Sequence, residues 1–328
     1  MAKNIPCESR ASLAKEDPND PVRLLVSWSP SSTGTEAIEY AAWLARSTKV
    51  CIRVISTISV PRATTVFTKH GGKYKKWFKK EQAECEQSVL AALKAAGVDN
   101  SQLDERPSVL LAGPSRPQLL TEMATEFCAD AILLGANQSA PKGKFFAGST
   151  ADALLHFSPI PLGLTPRDIK LSKHGVTRIN FAFTERGDSE DPALLHAARL
   201  ANTWKLPLRI VAFNAEGLID APLHDFVDIA SKLTKGWHEH TLAMLDRAQD
   251  IVDHHYPGLE ISTDIGTGHG WAGAVDSLKW KKGDIMCMGS SPMGPIERVF
   301  IGSAATELLP HIRVPVMVRP SDSAPIKD

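Results

Sequence analysis

The stretch Ala131–Arg167, AILLGANQSAPKGKFFAGSTADALLHFSPIPLGLTPR, decides the fold. It reads as an apolar strand, a loop punctuated by glycine, a short helix and a second apolar strand. The chain then repeats it. Ile285–Pro320, IMCMGSSPMGPIERVFIGSAATELLPHIRVPVMVRP, runs in the same order. Gly148, Ser149, Ala151, Leu154, Leu155, Pro161 and Pro166 recur 154 positions later as Gly302, Ser303, Ala305, Leu308, Leu309, Pro315 and Pro320. Repetition on this scale makes the molecule two copies of one unit before any element is assigned.

Working outward, each copy alternates short apolar strands with helices. In the first, residues 22–28 (VRLLVSW), 50–55 (VCIRVI), 108–112, 131–135 and 161–165 read as strands, and helices are expected at 35–48, 74–96, 116–128 and from Ser149. The second copy follows suit, with strands at 178–183, 208–213, 260–265, 285–289 and 315–318 and helices at 191–203, 233–255 and 271–280. Parallel neighbours need crossover connections, so this alternation predicts an α/β fold: two doubly wound parallel-sheet domains with helices on both faces. The domains are expected at 22–167 and 178–320, joined by a short linker over 171–177 and flanked by a mobile tail at 1–21 and another at 321–328. Ligands in such folds sit at the carboxyl ends of the strands, where the loop after Gly135 begins.

Composition removes several function classes. Lys plus Arg and Asp plus Glu each number 37 in 328 residues, so no global field favours polyanions or anionic membranes. No apolar run reaches the roughly 18–20 residues that span a bilayer, and the first 21 residues carry no hydrophobic segment. The five cysteines, Cys7, Cys51, Cys85, Cys128 and Cys287, are scattered without a CxxC, which predicts free thiols, no thiolate metal site and a cytoplasmic location. There is no GxSxG and no HExxH, so no catalytic residue is assigned.

These motifs resemble the universal stress protein family, and the chain apart from its tails resembles a tandem member, two such domains fused. Nucleotide-binding members carry, after strand four, a glycine, two residues, a second glycine, nine residues, then glycine and Ser or Thr. The first copy offers Gly135, Gln138, Gly148, Ser149 and Thr150; the second offers Gly289, Pro292, Gly302 and Ser303. The spacing is kept twice and the middle glycine is lost twice. Glycine lets backbone N–H groups approach phosphates, and Gly148-Ser149-Thr150 opens a helix whose N-terminus favours negative charge. A left-handed middle position would cost Gln138 roughly 1–2 kcal/mol. Pro292 has a fixed φ and no N–H to donate, so the second loop is expected to be reshaped. The aspartate that nucleotide-binding relatives place at the end of strand one has no counterpart here, where Ser27, Trp28 and Ser29 or Thr184 and Glu185 stand.

The resemblance implies a stress-response protein with ATP or another adenine nucleotide as its cofactor, bound in the first domain, and at most slow hydrolysis. The other reading is an interaction module with protein partners, its loops structural remnants. It also implies that the two domains pair through strand five, 161–165 beside 315–318, which would cover an exposed edge. Three further signals have bland readings beside the functional one. Gly268-His269-Gly270-Trp271-Ala272-Gly273 matches GxGxxG but lacks the later acidic residue, and reads as a strand-to-helix turn. Lys69, Lys73, Lys75, Lys76, Lys79 and Lys80, interleaved with Tyr74, Trp77 and Phe78, read as a solvated face with the aromatics turned inward, or as a patch for nucleic acid or anionic lipid. Trp28 reads as core or rim packing, or as a base-stacking ring. His238 and His240 are two apart on a helix and point in different directions, so they do not suit one metal ion.

Overall fold

The computed structural model describes residues 11–17, 19–32, 34–60, 71–183, 191–216, 227–289, 291–292, 299–300 and 303–319. The first copy comprises β1 (Val22–Ser27), α1 (Glu36–Leu44), β2 (Val50–Ser59), α2 (Gly71–Ala95), β3 (Leu103–Gly113), α3 (Arg116–Phe127), β4 (Ala131–Gly135), α4 (Ser149–Phe157) and β5 (Leu162–Thr165). The second comprises β6 (Arg178–Ala182), α5 (Pro192–Trp204), β7 (Leu208–Glu216), α6 (Val227–His255), β8 (Ile261–His269), α7 (Gly270–Asp276), β9 (Asp284–Gly289), a small ladder of β10 (Ser291–Pro292) and β11 (Val299–Phe300), α8 (Ser303–Leu308) and β12 (Val316–Arg319).

Ten of these strands form one sheet, in the order β3-β2-β1-β4-β5-β12-β9-β6-β7-β8. Every pairing in it is parallel except β5 with β12, which runs antiparallel with Gly163 opposite Met317. That antiparallel seam joins the two copies, so neither strand five is left as an open edge. The winding reverses between β1 and β4, where Leu24–Ser27 pairs Ala131–Leu134, and again between β6 and β9.

The inner strands β1, β4, β5, β12, β9 and β6 are buried on both faces, as their nearly unbroken apolar runs require, whereas the edge strands β3 and β8 are largely half-buried or exposed. Two hydrophobic layers result, and each is continuous across the seam. One holds Tyr40 and Trp43 from α1, Val89 and Leu93 from α2, Ala197 and Leu200 from α5, and Leu245 from α6. The other holds Leu120 and Phe127 from α3, Leu154 from α4, Val275 from α7 and Leu308 from α8. Gly163 shows how closely the seam is packed: a Cβ there would lie 2.3 Å from Leu133 Cδ2 and 2.9 Å from Tyr40 Cε1.

Three expectations need correction. Residues 11–16 are not a mobile tail. Ala11, Leu13 and Ala14 are buried, and Lys15 pairs with the buried Asp130 at 2.7 Å while Glu16 reaches Arg199 of α5 at 3.0 Å. Apolar residues spaced through a polar segment give no periodic signal, yet they suffice to strap it across both copies. Next, Cys128 is disulfide-bonded, whereas Cys51, Cys85 and Cys287 are free. Finally, β3 begins at Leu103, before the expected Ser108. Asp104, outside that expected strand, is held in the sheet by Arg53 of β2, which reaches it at 2.6 Å and stacks over Phe127.

Candidate functional site

At the first winding reversal a cleft of about 370 Å³ opens over the carboxyl ends of β1 and β4. Gly135, Gln138, Gly148, Ser149 and Thr150 all line it, so the topology brings together the five first-copy residues singled out by spacing. Gly148 caps α4 with φ −80° and ψ 169°, and Ser149 and Thr150 are its first two residues. The start of α4 thus lines the cleft, and the first N–H groups of a helix have no intrahelical partner.

Gln138 does not adopt the left-handed conformation considered above. Among the described non-glycine residues, only Cys128, Asp168 and Lys205 have positive φ. The loop is instead shaped by side chains. Asn137 Oδ1 accepts from Ser139 N at 3.0 Å, closing a local turn. Arg167, just beyond β5, donates from Nη1 to the carbonyls of Gln138 at 2.7 Å and Ala140 at 2.8 Å. A guanidinium therefore does the shaping for which a glycine was expected. The loop also leans on the second copy, where Lys144 Nζ lies 3.4 Å from His311 Nδ1. Burial, with the neighbouring Lys144 charge, lowers the His311 pKa below its ordinary value.

Trp28 lines the cleft from the end of β1, but its indole N–H donates to Gly34 O at 2.9 Å and its ring packs on the core. It pins the β1–α1 loop. Three charged residues in the cleft were missed by sequence reasoning: Glu36, Arg116 and Arg167. They come from three different elements and share no motif; only the strand order makes them neighbours.

The second copy is built differently at the same place. Thr35 and Ala37 correspond to Asp191 and Ala193 in the aligned helices α1 and α5. A Cβ on Gly135 would lie 3.7 Å from Ala37 N, an ordinary contact, whereas one on Gly289 would lie 2.6 Å from Ala193 Cβ. The second helix is thus pressed onto the end of its strand. Its N-terminus is also occupied, because Asp191 Oδ1 accepts from Ala193 N at 2.8 Å; Thr35 makes no such side-chain cap. Burial raises the Asp191 carboxyl above its usual range. Pro292 sits in the small ladder opposite Val299, and Ser303 opens α8. The first copy carries a bond at the position of Ser291 and Phe300, from Asn137 N to Phe146 O at 3.0 Å, and most of the second loop lies outside the described residues. Gly302 lies outside the described residues.

The remaining signals resolve structurally. Gly268 and His269 end β8 and Gly270 begins α7 with φ +61°. A Cβ on Gly268 would lie 2.4 Å from the Gly273 carbonyl carbon, so these glycines let strand and helix touch. In the lysine run, Tyr74, Trp77 and Phe78 cluster with ring centroids 5.5–6.4 Å apart; Phe78 packs on the core but Trp77 remains exposed. The aromatics are therefore only partly turned inward. Lys69 lies outside the described residues. His238 and His240 are exposed, and among the described residues no group of three or more His, Cys, Asp or Glu is placed to hold a metal. Among them, too, no helix is long and apolar enough to cross a membrane.

Comparison with known proteins agrees with the geometry. The family model described as the universal stress protein family matches residues 22–166 and 175–320. Universal stress proteins of Mycobacterium bovis and Mycobacterium tuberculosis are 26% identical over 301 residues, covering 90% of this chain and 99% of theirs. A universal stress protein structure from Archaeoglobus fulgidus superposes with a TM-score of 0.64 at 16% identity, over 92% of this chain and 99% of its own. One from Pseudomonas aeruginosa gives 0.54 at 15% identity, over 93% and 95%. At that identity the solved structures speak for the fold alone. The two matches of the family model, together covering most of the sequence, place this chain in the universal stress protein family as a tandem member with two of its domains.

Proposed function

We propose that this protein is a stress-response nucleotide binder in which the first domain, 22–167, holds an adenine nucleotide and the second, 178–320, serves as its structural partner. The observation that carries the reading is the cleft at the β1–β4 reversal, where Gly148, Ser149 and Thr150 start a helix opposite Gly135 and Gln138. Phosphates would bind the N–H groups and hydroxyls at that helix start, with the positive end of the helix and Arg116 and Arg167 supplying favourable charge. Among the described residues lining the cleft, no hydrogen bond pairs a nucleophile with a base, and the reading is binding, with hydrolysis slow at most. In the second domain Ala193 and the Asp191 cap stand where a ligand would go.

Titration calorimetry with ATP tests this, together with mass spectrometry of small molecules released from protein purified without added ligand. Gly148→Val is the informative variant. Gly148 has an ordinary extended backbone and a Cβ would meet only Asn137 Nδ2 at 3.6 Å, so valine changes the cleft without straining the chain. Binding should be present in the parent protein and fall at least about a hundredfold in the variant, the loss of two charge-assisted hydrogen bonds. Binding that survives in Gly148→Val places the ligand elsewhere, and no binding in the parent returns the molecule to the interaction-module reading.

A further inference from the structure

The cleft is not uniformly positive. Beside Arg116, Arg167 and the start of α4 it contains one acidic residue among those lining it, Glu36, the first residue of α1. The carboxylate of Glu36 folds back over the β1–α1 loop. A Cβ built on Gly34 would lie 1.9 Å from Glu36 Oε2, and one built on Gly135 would lie 3.8 Å from the same atom. The acid therefore stands between the carboxyl ends of β1 and β4, on the floor of the cleft. In the second copy the matching position of α5 is Pro192.

A carboxylate repels phosphate, and at close range the repulsion is worth several kcal/mol if the two are desolvated. A ligand that fills this cleft must then have two chemically distinct ends: an anion for α4 and the arginines, and hydrogen-bond donors for Glu36. An ionised carboxylate is acceptor-only, with two oxygens set to receive a pair of neighbouring O–H groups. Adjacent hydroxyls on a five-membered sugar meet that need, and the sugar of a nucleotide lies between its base and its phosphates. We propose that Glu36 accepts hydrogen bonds from the 2′- and 3′-hydroxyls of the bound nucleotide, so that the first domain selects ribonucleotides over 2′-deoxyribonucleotides. This rests on the nucleotide reading of the cleft and adds a specificity-determining residue to it.

Glu36 also lies in the first turn of α1, where any acid favours the helix dipole. Glu39 shares that turn and provides the control: it accepts from Thr35 Oγ1 at 2.6 Å and faces the linker groove with Arg46 and Lys170. A dipole role would be common to both glutamates; sugar selectivity would belong to Glu36 alone.

The test is calorimetric titration of the full chain with ATP and with 2′-deoxy-ATP, each with and without Mg²⁺, for the parent, Glu36→Ala and Glu39→Ala. The parent should bind ATP about tenfold tighter than the deoxy analogue, as expected for losing one hydrogen bond to a charged acceptor. Glu36→Ala should bring the two to within about twofold by weakening ATP, and Glu39→Ala should keep the parent's ratio. A parent that binds both equally overturns the assignment while leaving the nucleotide reading intact. Equal losses for both ligands in Glu36→Ala, or losses seen only with Mg²⁺, overturn it in favour of a general or metal-mediated role. If neither nucleotide binds the parent, the inference falls together with the proposed function.

Discussion

Asp130 and Asp284 stand 154 positions apart at the same place in the two repeats, and both are buried, yet each is compensated by different means. Asp284 is held within its own domain: Arg178 donates to both carboxylate oxygens at 2.9 and 2.6 Å, and Lys281 N adds a third bond at 2.8 Å. In the first copy the corresponding Arg23 turns its guanidinium onto Phe127 and the Phe127 carbonyl, giving Asp130 only its backbone N–H. The charge partner comes from the N-terminal strap, through Lys15 Nζ and Ser12 N. Burial raises the Asp130 carboxyl above its usual range even against these contacts. One fold position is thus self-sufficient in the second copy and depends on an added segment in the first. A related contrast recurs where the first helix of each copy meets the end of its fourth strand: Ala193 crowds Gly289 in the second copy, whereas Ala37 leaves room beside Gly135 in the first.

The largest expected effect breaks this comparison at its buried end. Asp284→Ala removes a carboxylate with no exposed side-chain surface and leaves Arg178, 16% exposed, without its partner. Stranding a buried charge costs about 3–5 kcal/mol. Asp130→Ala should cost only about 1–2 kcal/mol, because Lys15 belongs to a strap that can return to water. Urea unfolding of the two variants side by side checks the ordering. Equal losses would mean that the strap is as rigidly built as the strand beneath Asp284.

Much of this was legible because repetition compares the sequence with itself. The ten strands of the main sheet, their alternation with helices and the two repeated glycine loops follow from apolar runs and from residues kept at a 154-position offset, though not the order of the strands. What escaped depends on contacts between distant segments. Glu36, Arg116 and Arg167 follow β1, β3 and β5 in the chain and line one cleft only through the strand order of the sheet, and nothing in their local spacing announces it. Leu13 and Ala14 look like residues of a polar tail until the strap finds the groove they fill. The strand expected from Ser108 starts five residues earlier, at Leu103, where Arg53 holds Asp104. Periodicity reports which face a side chain takes within its own element; it is silent on which charge that face will meet.

A second pair of variants sharpens the contrast at the cleft. Gly135→Ala adds a methyl that meets Ala37 N at an ordinary 3.7 Å, whereas Gly289→Ala adds one 2.6 Å from Ala193 Cβ. The first should be nearly neutral. The second forces α5 away from β9 and should cost about 1–3 kcal/mol, the usual range for overpacking. Thermal unfolding followed by circular dichroism reads the difference. A neutral Gly289→Ala would show that α5 yields easily, and that it is not tightly packed onto the end of β9.

The smallest expected effect concerns acid, and again only one copy should feel it. Tyr40 of α1 and His196 of α5 occupy the same helix position on opposite sides of the seam. Burial, with Cys287 nearby, holds the Tyr40 hydroxyl well above its ordinary range, so it stays neutral and donates to Val316 O. Burial, followed by the Arg319 and Arg199 charges, lowers His196 from 6.5 to about 3. A histidine depressed in the fold is neutral there while the unfolded chain takes up a proton below 6.5, so its contribution is complete above 6.5 and is lost as pH falls toward about 3. Between 6.5 and about 5 that loss amounts to about 1–2 kcal/mol for this single group. His196→Gln removes the titration and should flatten the stability profile over this range, while Tyr40→Phe should leave its slope unchanged. A His196→Gln profile as steep as the parent's would move the acid sensitivity away from the seam, to the carboxylates that both copies share.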